Sequence, residues 1–308
     1  MERGKGLKYR LIIGASRLIG ALPEWLIYGC LGQFVSFVLY RLLRYRLKVV
    51  RRNLNRAFPE KSCEELLSIE RKFYAHLGEV VVDIVVMASL SREDMMARLN
   101  IENLEEHFAA TEGRSWVAMM AHYGNWECLG TYSLHDPRMQ VAGVYHPLRD
   151  KTFDDFFYAV RARFDIMPVR MNDVARFAVR YRNGYEGRPI AYGMIADQRP
   201  PREAEHRMYD FLGVPTAFFM GGEWLARKLS MPIFFLHVNK VGRARYSCRF
   251  ECIYDGVEEI VEGEITRRYA ERMEAMIRRE PHLWMWSHRR WKHIDIAEDE
   301  ARAAQNAK

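Results

Sequence analysis

The stretch Trp116-Val-Ala-Met-Met-Ala-His-Tyr-Gly-Asn-Trp-Glu127 decides how this chain is read. Trp116 to Ala121 is a short apolar run of the kind that forms a buried strand. It breaks at His122-Tyr-Gly-Asn125, and an apolar helical stretch follows from Trp126 to Leu134. Asn125 suits an N-cap, which puts Glu127 in the first helical turn, where a carboxylate is favoured. A histidine at a strand end and a carboxylate in the next helix can meet across such a turn. On one continuous helix they would not, because five positions amount to about 500° of rotation, roughly 140° apart.

The chemistry this suggests is a His–carboxylate dyad. A neutral imidazole at His122 can take a proton from a hydroxyl near neutral pH, and Glu127 would fix its tautomer and stabilise the imidazolium. No serine or cysteine is placed as a nucleophile, and Cys128 reads as packing, so the activated hydroxyl would belong to a substrate. Spacing alone does not select this pair, since His107/Glu112 and His293/Glu298 share it. Only His122 sits at a strand-to-helix turn, where sites tend to be built. A satisfied structural histidine fits the same spacing.

Outward from this stretch the pattern alternates. Predicted strands at 116–121, 139–145, 166–169, 189–196 and 232–239 are separated by helices at 126–135, 151–163, 172–182 and 217–230. An antiparallel strand at 244–254 and a helix at 262–279 complete the series. Strands alternating with helices of this length argue for an α/β fold, a mostly parallel sheet flanked by helices. Ligands of such sheets bind beyond the carboxyl ends of the strands. His122, His146 and Asp197 each fall just past a predicted strand, which groups them on one edge. Asp197 fits a site residue, binding a sugar hydroxyl or buttressing the dyad through Arg199, and fits a turn cap equally.

The N-terminal part has a different character. Between Arg17 and Arg41 the only charge is Glu24, and Trp25 to Tyr40 is uncharged throughout. A spanning helix needs about 20 apolar residues, so the stretch is long enough to span or to lie in the interface. Basic residues flank both ends, with Arg3, Lys5, Lys8 and Arg10 before and Arg41, Arg44, Arg46 and Lys48 after, so charge sets no orientation. Arg41 to Arg56 reads as a basic amphipathic helix suited to anionic headgroups. Ser62-Cys-Glu-Glu65 is a capping box that opens a long helix to about Ser89, and Ser91-Arg-Glu-Asp94 opens a short one. A polar-amphipathic helix over 101–111 follows.

Three parts result: a membrane-associating N-terminal segment over 1–58, one α/β domain over 59–295, and a charged tail over 296–308. The formal charge of +7 suits an anionic partner such as a lipid surface or an acidic carrier protein. Nucleic acid ranks low, because an apolar anchor precedes the basic segment and no nucleic-acid motif is present. Five cysteines without metal-type spacing read as reduced thiols, and neither metal nor cofactor is expected.

The phrase His122-Tyr-Gly-Asn-Trp-Glu127 resembles the H-x4-D/E motif of glycerolipid-type acyltransferases, nearest the bacterial lipid A biosynthesis branch. Asn53-Leu-Asn-Arg-Ala-Phe-Pro59, Val144-Tyr-His-Pro147, Ala196-Asp-Gln198, Phe211-Leu-Gly-Val-Pro-Thr216 and Trp284-Met-Trp-Ser-His-Arg-Arg-Trp-Lys292 agree with that family in order. They cover nearly the whole chain. The resemblance implies a glycerolipid acyltransferase-like fold and acyl transfer from a thioester to a hydroxyl of a membrane lipid, most simply a lipid A precursor. The donor would be carried on acyl carrier protein, or on coenzyme A. It implies His122 and Glu127 as catalytic residues, with Tyr123, Gly124, Asn125, Trp126, His146, Arg149, Asp197, Gln198, Arg289 and Arg290 on the substrates. It also implies the bacterial inner membrane, with the catalytic domain facing the cytoplasm. His146 departs from the family, which has Arg before this Pro; Arg149 stands two residues on. Another lipid acceptor (a mannosylated phosphatidylinositol, a lysophospholipid or an aminolipid), thioester hydrolysis, and a non-enzymatic lipid- or carrier-binding scaffold are the alternatives.

Overall fold

The computed structural model describes residues 6–201 and 204–295. Arg3, Lys5 and the tail from 296 lie outside the described residues. The chain opens with two helices, α1 (Leu7–Gly20) and α2 (Trp25–Leu42), separated at Pro23, whose carbonyl accepts from the amides of Leu26 and Ile27. Trp25–Leu42 is long and apolar enough to cross a membrane, with a mean hydropathy of 1.3. It crosses α4 (Cys63–Met87) at Gly32 and Gly78. A Cβ on Gly78 would stand 2.6 Å from the Gly32 carbonyl, so this crossing requires glycine there.

The expected basic helix over 41–56 is interrupted. Arg44 and Arg46 adopt positive φ, and α3 (Leu47–Ala57) starts only afterwards. Much of its charge is engaged inside the protein: Arg51 makes a two-pronged pair with Glu70, and Arg56 reaches Asp295 at 3.0 Å. Asn53 donates to the carbonyls of Trp286 and His288, so α3 clamps the C-terminal segment. The Ser62 capping box forms as the sequence implies, with the Ser62 hydroxyl taking the Glu65 amide and Glu65 taking the Ser62 amide. Ser91 likewise caps α5 (Arg92–Met96).

A seven-stranded, mostly parallel sheet follows, flanked by helices. In chain order it is built from β1 (Leu99–Ile101), α6 (Leu104–Thr111), β2 (Trp116–Met120), α7 (Trp126–Leu129), α8 (Tyr132–His135), β3 (Gln140–Tyr145), α9 (Lys151–Arg163), β4 (Ile166–Arg170), α10 (Val174–Arg180) and β5 (Ile190–Ile195). The hairpin β6 (His206–Phe211) and β7 (Val214–Phe219) comes next, then α11 (Gly221–Leu229), β8 (Ile233–Gly242), β9 (Arg245–Tyr254) and α12 (Glu264–Arg279). The sheet order is β1-β9-β8-β2-β5-β3-β4, and only the β8–β9 pair is antiparallel. β2 and β5 are central and almost wholly apolar, as strands covered on both faces are.

Three expectations change. The helix after His122 is two short helices broken at Gly130. The segment 101–111 gives the end of β1 before α6 begins at Leu104. Residues 206–219 form a separate hairpin, where a loop and the start of a helix were expected.

Candidate active site

Because β2, β5 and β3 are parallel neighbours, the residues just past their ends share one sheet edge. His122 follows β2, and Asp197 follows β5 two residues on. The register pairs Met120 with Ile195, which brings the two side chains together. His122 Nδ1–H donates to Asp197 Oδ1 at 2.7 Å, and the His122 backbone N–H donates to Asp197 Oδ2 at 3.1 Å. Trp284 Nε1–H reaches the same Oδ2 at 2.7 Å. Burial pushes the Asp197 carboxyl up, but the imidazole and these hydrogen bonds outweigh it and hold it below the ordinary carboxylate range. With its N–H committed at Nδ1, the neutral ring keeps its lone pair on Nε2. The Gln198 amide nitrogen lies 3.4 Å from both ring nitrogens, and the Trp126 indole stands edge-on to the ring at 5.0 Å.

The carboxylate on His122 is therefore Asp197, not Glu127. Glu127 turns away: its two oxygens accept from Arg161 of α9, at 2.9 Å from Nε and 2.7 Å from Nη2. Among the described residues no hydrogen bond joins Glu127 to His122. The reason is the cap. Asn125 Oδ1 takes the Glu127 amide, so α7 begins with Glu127 directed at α9 rather than at the strand end. Burial lowers the Arg161 guanidinium, yet Glu127 beside it leaves it above its ordinary value. Nor does Arg199 mediate at Asp197; its backbone amide donates to His288 Nε2 at 3.2 Å.

The other residues of the turn are mostly structural. Tyr123 is fully buried, and its hydroxyl reaches the carbonyls of Met276 and Glu280, both at 3.2 Å. Gly124 has φ +62, and a Cβ there would stand 3.0 Å from the Tyr246 ring, so only glycine fits this turn comfortably. Asn125 is buried as the cap. Trp126 lines a cavity. His146 and Arg149 are exposed past β3, on the same sheet edge. Arg289 is partly exposed, 3.6 Å from Asp295. Arg290, expected on a substrate, is only 1 % exposed; it donates to the Ala217 carbonyl and lies over the Phe218 ring at 4.7 Å. Phe218 beside it is a core residue, as is Met220.

The apolar cavity lies elsewhere, under α7 and α9. It has a volume of about 70 Å³ and is lined by alternate residues of three strands: Trp116, Ala118 and Met120 of β2, Ala191, Gly193 and Ile195 of β5, and Val141, Gly143 and Tyr145 of β3. Alternation puts all of them on one sheet face, a lining that spans about 13 Å of strand. Register explains the space. Ala118, Gly193 and Gly143 stand side by side across the sheet, a row without large side chains. Trp126, Glu127 and Arg161 close the slot from the helical side. Among the described residues no cluster of three or more His, Cys, Asp or Glu is placed to hold a metal ion.

The sequence profile described as bacterial lipid A biosynthesis acyltransferase matches residues 5–293, nearly the whole chain. The chain belongs to that family. Family membership makes it an acyltransferase of the lipid A type, and this family is membrane-associated in general, in keeping with the apolar α2. No curated protein matches the chain.

Proposed function

We propose that this lipid A acyltransferase-family chain moves a fatty acyl group from acyl carrier protein, or secondarily from acyl-CoA, to a hydroxyl of a membrane lipid, a lipid A precursor first. The observation that carries this reading is the His122 imidazole. It is held at Nδ1 by a buried carboxylate, leaves Nε2 as a base, and shares Trp126 with an apolar slot.

In the proposed reaction the acceptor O–H gives its proton to His122 Nε2 as its oxygen attacks the thioester carbonyl carbon. The tetrahedral oxyanion collapses, the C–S bond breaks, and the thiolate leaves with the imidazolium proton. Asp197 orients the ring and stabilises its charge during this exchange. Glu127 serves indirectly: paired with Arg161, it fixes the helical wall of the slot that receives the acyl chain. His146 and Arg149, exposed on the same edge, are placed for an anionic group of the acceptor or donor. The reaction would take place at the inner membrane, with α2 in the bilayer interface and the catalytic domain on the cytoplasmic side.

The test is transfer by purified full-length chain, with acyl-carrier-protein thioester and a lipid A precursor in mixed micelles. Mass spectrometry should show the acceptor heavier by one acyl group in step with thiol release, and His122→Ala should lose both. Thiol release without acylated lipid would replace transfer by hydrolysis. Full activity in a folded His122→Ala protein would remove the base from the mechanism.

A further inference from the structure

Helix α4 touches the His122 turn at two places on one face. Residues seven apart are nearly two helical turns apart, so His76 and Asp83 point the same way. His76 Nε2–H donates to the Gly124 carbonyl at 3.3 Å, and Asp83 Oδ2 accepts from the Asn125 amide nitrogen. This second contact fixes the Asn125 amide, whose oxygen caps α7 through the Glu127 N–H at 3.1 Å. The start of α7, with Trp126 against His122 and Glu127 on Arg161, thus depends on where Asp83 holds Asn125.

The other oxygen of Asp83 faces the N-terminal segment. Oδ1 accepts from Tyr28 Oη–H at 2.6 Å and from Arg98, and Arg98 also donates to the Tyr28 hydroxyl at 2.6 Å. Asp83, Arg98 and Asn125 are all buried, so each depends on the others for its hydrogen bonds. Tyr28 and its neighbour Ile27 are buried in a small apolar cluster with Val82, Val86 and Ala244, separate from the main core. The face of α2 turned away from α4 is open: Trp25, Phe34, Phe37 and Leu42 are each more than half exposed, and the exposed Arg41 and Arg44 close the row. An apolar face ending in cations fits an anionic bilayer surface.

Resting on the acyltransferase reading of the His122 site, we propose that Asp83 is its positioning residue and that Tyr28 makes that positioning answer to the seating of α2 on the membrane. With α2 seated, the Tyr28 hydroxyl and Arg98 share one oxygen of Asp83, and the other is free for Asn125. When α2 is unseated and the hydroxyl withdraws, Arg98 draws the carboxylate. Asn125 loosens, and Trp126 no longer fixes the imidazole. Acyl transfer is thereby favoured where the acceptor lipid is present.

Hydrogen exchange on the full-length chain tests the link without turnover. The probes are vesicles of equal parts phosphatidylcholine and phosphatidylglycerol, with wild type compared to Tyr28→Phe, which removes one oxygen and keeps the ring. In the wild type, vesicles should slow exchange in α2 and, over the same lipid range, in the 122–129 segment by about tenfold. In Tyr28→Phe the slowing in α2 should persist and that in 122–129 should vanish. Its kcat on vesicle-borne acceptor should fall about tenfold at unchanged KM for the acyl donor. Vesicle-independent exchange of 122–129 in the wild type, or equal slowing in Tyr28→Phe, overturns the proposal. So does a Tyr28→Phe protein that loses vesicle binding while keeping its kcat. A wild-type chain that shows the exchange coupling but transfers no acyl group would contradict the enzymatic reading and leave the link standing.

Discussion

Asp197 grips His122 at two points: one oxygen takes the ring N–H and the other takes the backbone N–H of the same residue. A carboxylate fixed to both ring and main chain sets the ring's tautomer and its direction together. Asp197→Asn keeps the shape and the Trp284 contact but offers the ring a neutral partner. Its kcat should fall by about ten-thousandfold with KM little changed, as when a triad carboxylate becomes an amide. Steady-state kinetics beside a thermal melt checks this, and the melt should move far less than the rate.

Glu127 gives the contrasting case. Bound by Arg161 and largely buried, it is a wall rather than a partner of the base. Glu127→Gln should lower kcat much less than Asp197→Asn does. Arg161→Met strands a buried carboxylate and should destabilise the fold by about 3–5 kcal/mol in urea unfolding. The double variant Glu127→Gln/Arg161→Met should recover part of that loss. A Glu127→Gln protein as slow as Asp197→Asn would return Glu127 to the dyad.

The small-residue row predicts a change in acyl selectivity. A Cβ on Gly193 meets nothing nearer than 3.8 Å, so Gly193→Val fits the strand and fills the middle of the slot. The variant should prefer donors at least two carbons shorter than wild type in competition assays with mixed chain lengths. Its rate on the shortest donors should stay within about threefold.

Acid should destabilise the protein in two stages. Burial pushes His288 down to about 4 and His76 down to about 3, both from 6.5, so both are neutral when folded. The unfolded chain binds these protons first. Stability is therefore full above pH 6.5 and is lost as pH falls towards 4 and then 3. The full loss is on the order of 3 kcal/mol for His288 and about 5 kcal/mol for His76. The lowered carboxyl of Asp197 adds stability that is present above its ordinary range and lost below it. Urea midpoints should hold from pH 7.5 to 6.5 and fall from there to pH 4.5, less steeply in His288→Gln.

Much of this architecture was legible from local pattern. The strand-turn-helix around His122, the Ser62 cap, the antiparallel last strand and α9 over 151–163 come from periodicity and capping chemistry, which act within a few residues. The shared edge of His122 and Asp197 was legible too, because both follow strands. Their direct bond was not, since it joins residues 75 apart through the register of β2 with β5. Arg161 as the partner of Glu127 lies 34 residues on, across the same kind of gap. Arg290 sits in a basic run expected on a substrate, yet α/β packing buries it. The β6–β7 hairpin was hidden because Leu212 takes a positive φ beside Gly213, a conformation that turn chemistry does not expect of leucine.

Mass spectrometry of total membrane lipids tests the central claim most directly. Cells lacking the gene would be restored with wild type, His122→Ala or Asp197→Asn, each expressed to equal level. The expected result is one lipid class short by a single acyl chain without the gene, regained with wild type and with neither variant. Lipid masses that are the same in every strain, or full recovery with His122→Ala, would contradict acyl transfer by the His122–Asp197 pair.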